Sequence, residues 1–150
     1  YNIRHFSEGI DEEIYCEIRN SAFAKIRGSE TPITASMVTK MIQEEDYLEG
    51  GIQFLFHNEK AIGLIRAAAD VHEDDPILNI GPLALLPAYQ GQGLGRLLLR
   101  AGLQFGKKTE FHRAILCVDG ENDRAKALYL QEGFRDLEGW VCYRYVIKNR

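Results

Sequence analysis

After Leu86 the chain reads Pro87-Ala88-Tyr89-Gln90-Gly91-Gln92-Gly93-Leu94-Gly95-Arg96, with three glycines at alternate positions running into a helical pattern. Glycine lets the backbone turn tightly and lets a ligand come close to its N–H groups. A helix start adds unsatisfied N–H donors and the positive end of the dipole. A strand, a glycine-rich turn and a helix in that order make an anion site. Two familiar anion loops do not fit. A Walker A loop needs a closing Gly-Lys-Ser/Thr, and none occurs. The dinucleotide fingerprint G-x-G-x-x-G fails because Gly95 is followed by Arg96 and Leu97. A second cluster, Asp70 with Glu73, Asp74 and Asp75 around His72, could draw in a cationic amine or take its proton. The same run also reads as a solvated acidic loop.

Gln90 to Gly95 resembles the Q/R-x-x-G-x-G/A signature of the GNAT family of N-acetyltransferases. Downstream, Asn122, Ala125, Leu128, Tyr129, Gly133 and Phe134 resemble that family's N-x-x-A-x-x-L-Y-x-x-x-G-F segment. The two motifs stand in the family's order, and the resemblance covers residues 50 to 147 well and the first third in outline. It implies a mixed, mostly antiparallel α/β sheet with a splayed parallel strand pair and about four flanking helices. It implies acetyl-CoA as co-substrate, held by Gln90, Gly91, Gln92, Gly93, Leu94, Gly95 and Arg96 with Asn122. The backbone N–H groups near Leu83 and Leu85 would meet the pantetheine amides and the thioester carbonyl, and Tyr129 matches the tyrosine that protonates the departing sulfur. A small-molecule or peptide amine is the implied acceptor, and a homodimer is compatible with the resemblance.

Acyl transfer to an amine requires a neutral amine, donors for the tetrahedral oxyanion and a proton for the thiolate. No Ser-His-Asp or Cys-His pair is placed by a motif, so direct attack is expected rather than an acyl-enzyme. Glu73 is the first candidate base, ahead of His72 and Asp74. Two other readings remain: a coenzyme A-binding sensor that does not catalyse transfer, and a nucleotide-binding regulatory module.

These residues need elements to hold them. A first strand spans Tyr1 to Phe6, and a helix begins near Asp11 with Ile14, Ile18, Ala22 and Ile26 as its stripe, stopped by Gly28. Thr34 or Ser36 caps a second helix reaching about Tyr47. Ile52–Phe56 and Ala61–Ala69 form a hairpin, followed by an acidic loop from Asp70 to Pro76. Ile77–Leu86 is the central strand, where Gly81-Pro82 favours a bulge. Leu94, Leu97, Leu98, Ala101 and Phe105 mark the apolar face of the next helix, with Gly106 as its left-handed stop. Ala114–Val118 lies parallel to the central strand. A short helix then carries Ala125, Leu128 and Tyr129, closed by Gly133 with Phe134 packing back, and Trp140–Ile147 is the last strand. The resemblance implies that the first two helices form part of the acceptor wall, which makes Phe23, Ile26, Arg27 and Tyr47 candidates to touch substrate.

The bulk numbers suit one such domain over residues 1–150. At 150 residues and 45% hydrophobic the chain can bury a core without staples. A net charge of -4 argues against nucleic acid as the main partner. Cys16, Cys117 and Cys142 lack C-x-x-C spacing and read as reduced core thiols in a cytoplasmic protein, with no metal site. No apolar run is long enough to span a membrane. The start at Tyr1 rather than Met suggests that a few residues precede it.

Overall fold

The computed structural model describes residues 1–25, 31–117, 123–137 and 142–148. Its elements are β1 (Asn2–His5), α1 (Glu12–Phe23), α2 (Ala35–Met41), β2 (Ile52–His57), β3 (Lys60–His72) and β4 (Asp75–Leu85). They continue with α3 (Leu94–Lys107), β5 (Arg113–Cys117), α4 (Asp123–Gln131), β6 (Arg135–Asp136) and β7 (Cys142–Val146). The strands form one sheet in the order β1-β2-β3-β4-β5-β7-β6. Every pairing is antiparallel except that of β4 with β5. This is the mixed α/β architecture expected from the sequence. The expected stop at Gly28, with Ile26 and Arg27 beside it, lies outside the described residues, as do Val118, Asn122 and Trp140.

Strand periodicity sends alternate side chains to opposite faces. Ile52 and Phe54 of β2 join Tyr15, Ile18 and Val38 under α1 and α2. Leu55 joins Leu98, Leu99 and Leu103 under α3, and Gln53 donates from Nε2 to the Ala101 carbonyl of that helix at 3.1 Å. Tyr129 and Phe134 add α4 to the same layer. The sheet is therefore covered on both faces. Thr34 caps α2 as expected, its Oγ1 accepting from the Met37 N–H at 3.3 Å.

Several sequence expectations need correction. α2 ends at Met41, short of the expected Tyr47. α3 buries Leu94, Leu98, Leu99, Gly102, Leu103 and Gly106, whereas Leu97 is 42% exposed. Three consecutive leucines leave the helix phase ambiguous in sequence, and packing against the sheet decides it. Gly106 lies inside the helix rather than at a left-handed stop. Its missing Cβ would lie 3.0 Å from both Leu78 Cδ2 and Ile147 Cδ1, so it makes room for close packing. The acidic loop is a hairpin tip: β3 runs to His72, β4 starts at Asp75, and only Glu73 and Asp74 turn, both at positive φ. Mutual strand pairing extends into polar residues because the turn satisfies the backbone. Finally, Cys117 and Cys142 are disulfide-bonded rather than reduced. They stand opposite each other in the β5–β7 register, a long-range pairing that spacing alone could not show. Cys16 is free.

Among the described residues no helix is long and apolar enough to cross a membrane, and no cluster of His, Cys, Asp or Glu is arranged to hold a metal ion.

The β2–β3 edge leaves almost no room before β2. A Cβ on Gly51 would sit 2.2 Å from the Ala67 carbonyl oxygen and 2.9 Å from that of Leu48. The Gly51 carbonyl also accepts from the Ala67 N–H at 2.9 Å. Gly51→Ala should therefore destabilise the fold by about 1–3 kcal/mol, the usual range for overpacking. Urea unfolding should show a lower midpoint, and an unchanged midpoint would refute this account of the β2–β3 contact.

Candidate active site

Parallel pairing of β4 with β5 is confined, among the described residues, to Leu78↔Ala114 and Asn79↔Ile115. On its other side β4 stays paired with β3 through Leu85. Ile80 pairs Ala67 and Leu83 pairs Ile65, so Gly81 and Pro82 both stand opposite Arg66. That is the expected bulge, and the Gly81–Pro82 peptide is cis. Beyond it the Leu86 N–H donates to the Ile62 carbonyl at 2.8 Å, toward β3. Strand N–H groups alternate in direction. Those of Leu83 and Leu85 therefore point away from β3, into the gap left by β5.

A cavity of about 850 Å³ opens there. Leu83, Ala84 and Leu85 line one wall and Ala125, Leu128 and Tyr129 of α4 another. Gly91, Gly93, Gly95 and Arg96 close one end, and Ser21 to Lys25 at the end of α1 contribute a third wall. Gly91 and Gly93 hold φ of +76° and +81°, a region that side chains with a Cβ rarely adopt. Gly93 is the N-cap of α3 in the left-handed conformation, and a Cβ there would meet nothing within 4 Å. The first-turn N–H groups of a 14-residue helix thus begin beside open space. This is a cradle for an anion without side-chain bulk.

The loop's own side chains hold the loop. Gln90 Nε2 donates to the Leu85 carbonyl at 3.0 Å, and Gln92 Nε2 to the Ala88 carbonyl at 3.1 Å. Leu94 is buried in the core, so any contact it makes with a ligand would be through its N–H. Arg96 reaches the cavity, yet its guanidinium donates to Glu132 Oε2 at 2.8 Å and Gln131 Oε1 at 2.6 Å. Arg100 Nε donates to the other Glu132 oxygen at 2.5 Å. The Arg100 hydrogen bond, reinforced by Arg96, holds the Glu132 carboxyl below the usual carboxylate range against the opposing effect of burial. This arrangement fastens α4 to α3.

Tyr129 is 7% exposed, with its ring 5.9 Å from that of Phe134 and 6.0 Å from that of Tyr143. Burial pushes its phenol up to about 12, so it stays protonated through the neutral range. The end of α4 fixes it: Gly133 turns at positive φ, and the Phe134 N–H returns to the Tyr129 carbonyl at 2.9 Å. Phe134 is fully buried, packing back as the sequence implied.

The cavity therefore gathers Leu83, Leu85, Gln90, Gly91, Gly93, Gly95, Arg96 and Tyr129 of the residues expected from sequence. Gln92 and Leu94 border it from the loop, and Asn122 lies outside the described residues. Glu73, the first candidate base, is not among the residues that line the cavity. Glu73 lies in the turn before β4, and the eight strand steps from Asp75 to Leu83 span on the order of 26 Å at strand rise. The Glu73 side chain is 86% exposed at the hairpin tip, which His72 and Asp74 share. Of the acceptor-wall candidates, Phe23 lines the cavity and Tyr47 packs under α1 and α2 instead. Sequence reasoning missed Ser21, Lys25 and Arg124. Arg124 lies four residues before Leu128, one helical turn, and that spacing was the available signal.

Residues 13–134 match the model of the Acetyltransferase (GNAT) family. A mycothiol acetyltransferase of Catenulispora acidiphila is 28% identical over 145 residues, covering 95% of this chain and 46% of that protein. One from Corynebacterium efficiens is 33% identical over 97 residues, covering 65% of this chain and 32% of the relative. The chain spans about half the length, or less, of these curated relatives. A GNAT acetyltransferase from Brucella melitensis, solved with acetyl-CoA, superposes with a TM-score of 0.76 at 18% identity, over 99% of this chain and 88% of that one. The ribosomal-protein-S18-alanine N-acetyltransferase of Escherichia coli gives 0.75 at 24% identity, over 99% and 95%. At these identities the two structures speak to the fold alone. With its family model matched across most of its length, this chain belongs to the GNAT acetyltransferase family.

Proposed function

We propose that this chain transfers an acetyl group from acetyl-CoA directly to a primary amine. One observation carries the reading. A single cavity brings together the inward N–H groups of β4, a glycine cradle at a helix start and a protonated tyrosine. The N–H groups and the tyrosine answer two demands of the reaction, donors for the oxyanion and a proton donor at sulfur, and the cradle suits the acyl donor's diphosphate; the neutral amine is left to the acceptor. The loop N–H groups from Gly91 to Gly95 would hold the diphosphate, with Gln90 keeping the loop on β4. The Leu83 and Leu85 N–H groups would lie along the pantetheine arm and meet the carbonyl oxygen as it becomes an oxyanion. The amine nitrogen bonds to the carbonyl carbon and gives up its proton to solvent water, the C–S bond breaks, and the departing thiolate accepts a hydrogen bond from the Tyr129 hydroxyl before taking a proton from solvent. Asn122 belongs to the proposed cofactor set by its place in the motif.

Among the described residues no carboxylate lines the cavity. That favours acceptors already partly neutral at working pH. An α-amine has a pKa of about 7.7–8.0, against ~10.4 for a lysine side chain. Peptide α-amines therefore head the acceptor panel. A mycothiol-type acceptor belongs beside them, after the name the curated relatives carry.

Gly93→Val should raise the dissociation constant for coenzyme A at least ~10-fold, because a β-branched residue resists positive φ and fills the cradle. Isothermal titration calorimetry checks this, and unchanged binding would sink the site assignment.

Tyr129→Phe keeps the ring but removes the hydroxyl. Turnover should fall by ~10- to 10²-fold, the low end for general-acid groups, with coenzyme A affinity almost unmoved. A variant as fast as its parent in single-turnover acetyl transfer would leave Tyr129 a packing residue. Tight coenzyme A binding without thiol release on any amine would establish the sensor reading instead.

With an α-amine acceptor, kcat/KM should climb about tenfold per pH unit and level off near pH 8; with a lysine-like amine it should keep climbing toward ~10. A plateau set by a pKa of ~4–6.5, the same for both acceptors, would reveal a carboxylate or histidine base and overturn this preference.

A further inference from the structure

We propose that Arg124 is a ligand for the diphosphate of coenzyme A, closing from α4 onto the glycine loop. The inference rests on the coenzyme A reading above and adds a side-chain cation to a loop so far built of backbone donors. A Cβ placed on Gly91 would lie 3.2 Å from Arg124 Nη1 and 3.8 Å from its Cζ, so the guanidinium lies against the loop. One helical turn on, Leu128 Cδ2 would be 3.7 Å from a Cβ on Gly95. α4 therefore runs along the loop with its arginine at the Gly91 end and an apolar contact at the Gly95 end. Both residues line the same cavity.

The competing cation is already engaged. Arg96, the expected loop arginine, is held by Glu132 and Gln131. Arg124 forms no ion pair with a carboxylate among the described residues, where Arg4, Arg66, Arg96, Arg100 and Arg113 each do. Lys25, the cavity's other cation, sits on the α1 wall. Guanidinium presents a planar fork of donors that matches two phosphate oxygens at once. Because the side chain is exposed, it gives up little buried packing when it turns to a phosphate. Gly91 has no Cβ to stand between the two.

The test compares the parent with Arg124→Gln and Arg124→Lys by calorimetric titration with coenzyme A, dephospho-coenzyme A and pantetheine. Circular dichroism checks that α4 is kept. Charged hydrogen bonds of this kind correspond to roughly 10- to 100-fold in affinity. Arg124→Gln should weaken coenzyme A and dephospho-coenzyme A by that same factor and leave pantetheine unchanged. Arg124→Lys should fall between parent and Gln variant. The slope of affinity against salt should become shallower in Arg124→Gln for both phosphate-bearing ligands. Coenzyme A binding within twofold of the parent would overturn the proposal. So would a loss seen with coenzyme A but absent with dephospho-coenzyme A, which would place Arg124 on the 3′-phosphate. Failure of the parent itself to bind coenzyme A would instead refute the function reading, and this assignment with it.

Discussion

The unpairing of β4 from β5 after Asn79 is the constraint on which the rest of the site depends. A sheet normally satisfies strand N–H groups with its neighbours, and buried ones left unpaired are costly. Here the cost is contained because β4 keeps β3 as a full partner, so only the alternate N–H groups facing β5 are released. The two-residue bulge at Gly81-Pro82 sits just where the strands part. A local break in one ladder thus becomes a set of donors aimed into a cavity.

Holding that gap open requires the helices on one face to be fastened to each other. α3 lies on the sheet through Leu94, Leu98 and Leu103, so its start, and hence the glycine cradle, is fixed relative to β4. α4 has no strand beneath it with comparable purchase, and the Glu132 carboxylate joins it to Arg96 and Arg100 of α3. Glu132 is 9% exposed, so its charges are less screened than those of a surface pair. The Phe134 N–H returns to the Tyr129 carbonyl and the Phe134 ring packs beside that of Tyr129, which lines the cavity. Placement of Tyr129 thus depends on contacts made at the C-terminal end of its own helix.

Much of this was legible in sequence because it is local. The glycine spacing, the Gly133-Phe134 closure and the Thr34 cap are each written within a few residues, and each formed as read. What sequence could not supply was long-range register. The phase of α3 was lost among Leu97, Leu98 and Leu99, since only contact with β3 distinguishes them. The Cys117–Cys142 pairing depends on β7 returning beside β5. Glu73 looked close to the site because it is close in number to β4, but extended strands turn small sequence gaps into large distances. Arg124 stood within the recognised downstream motif at a variable position, and only folding brought it over Gly91.

The electrostatics of the cavity limit what Tyr129 can do. With its phenol at about 12, full proton transfer to a thiolate whose thiol has a pKa of about 8.5 would be uphill by more than three units, roughly 4–5 kcal/mol. The hydroxyl is better suited to donate a hydrogen bond that strengthens as negative charge grows on sulfur, leaving the final proton to solvent. That role needs a phenol that remains protonated across the working range, which burial among Phe134 and Tyr143 secures. It also suits a cavity whose described lining carries Lys25 and Arg124, with Arg96 paired to Glu132, and holds no carboxylate. Positive potential there stabilises thiolate and diphosphate alike. The same field would disfavour an ammonium group, so on the proposed reading the geometry that would bind the acyl donor would also favour the neutral form of the acceptor amine.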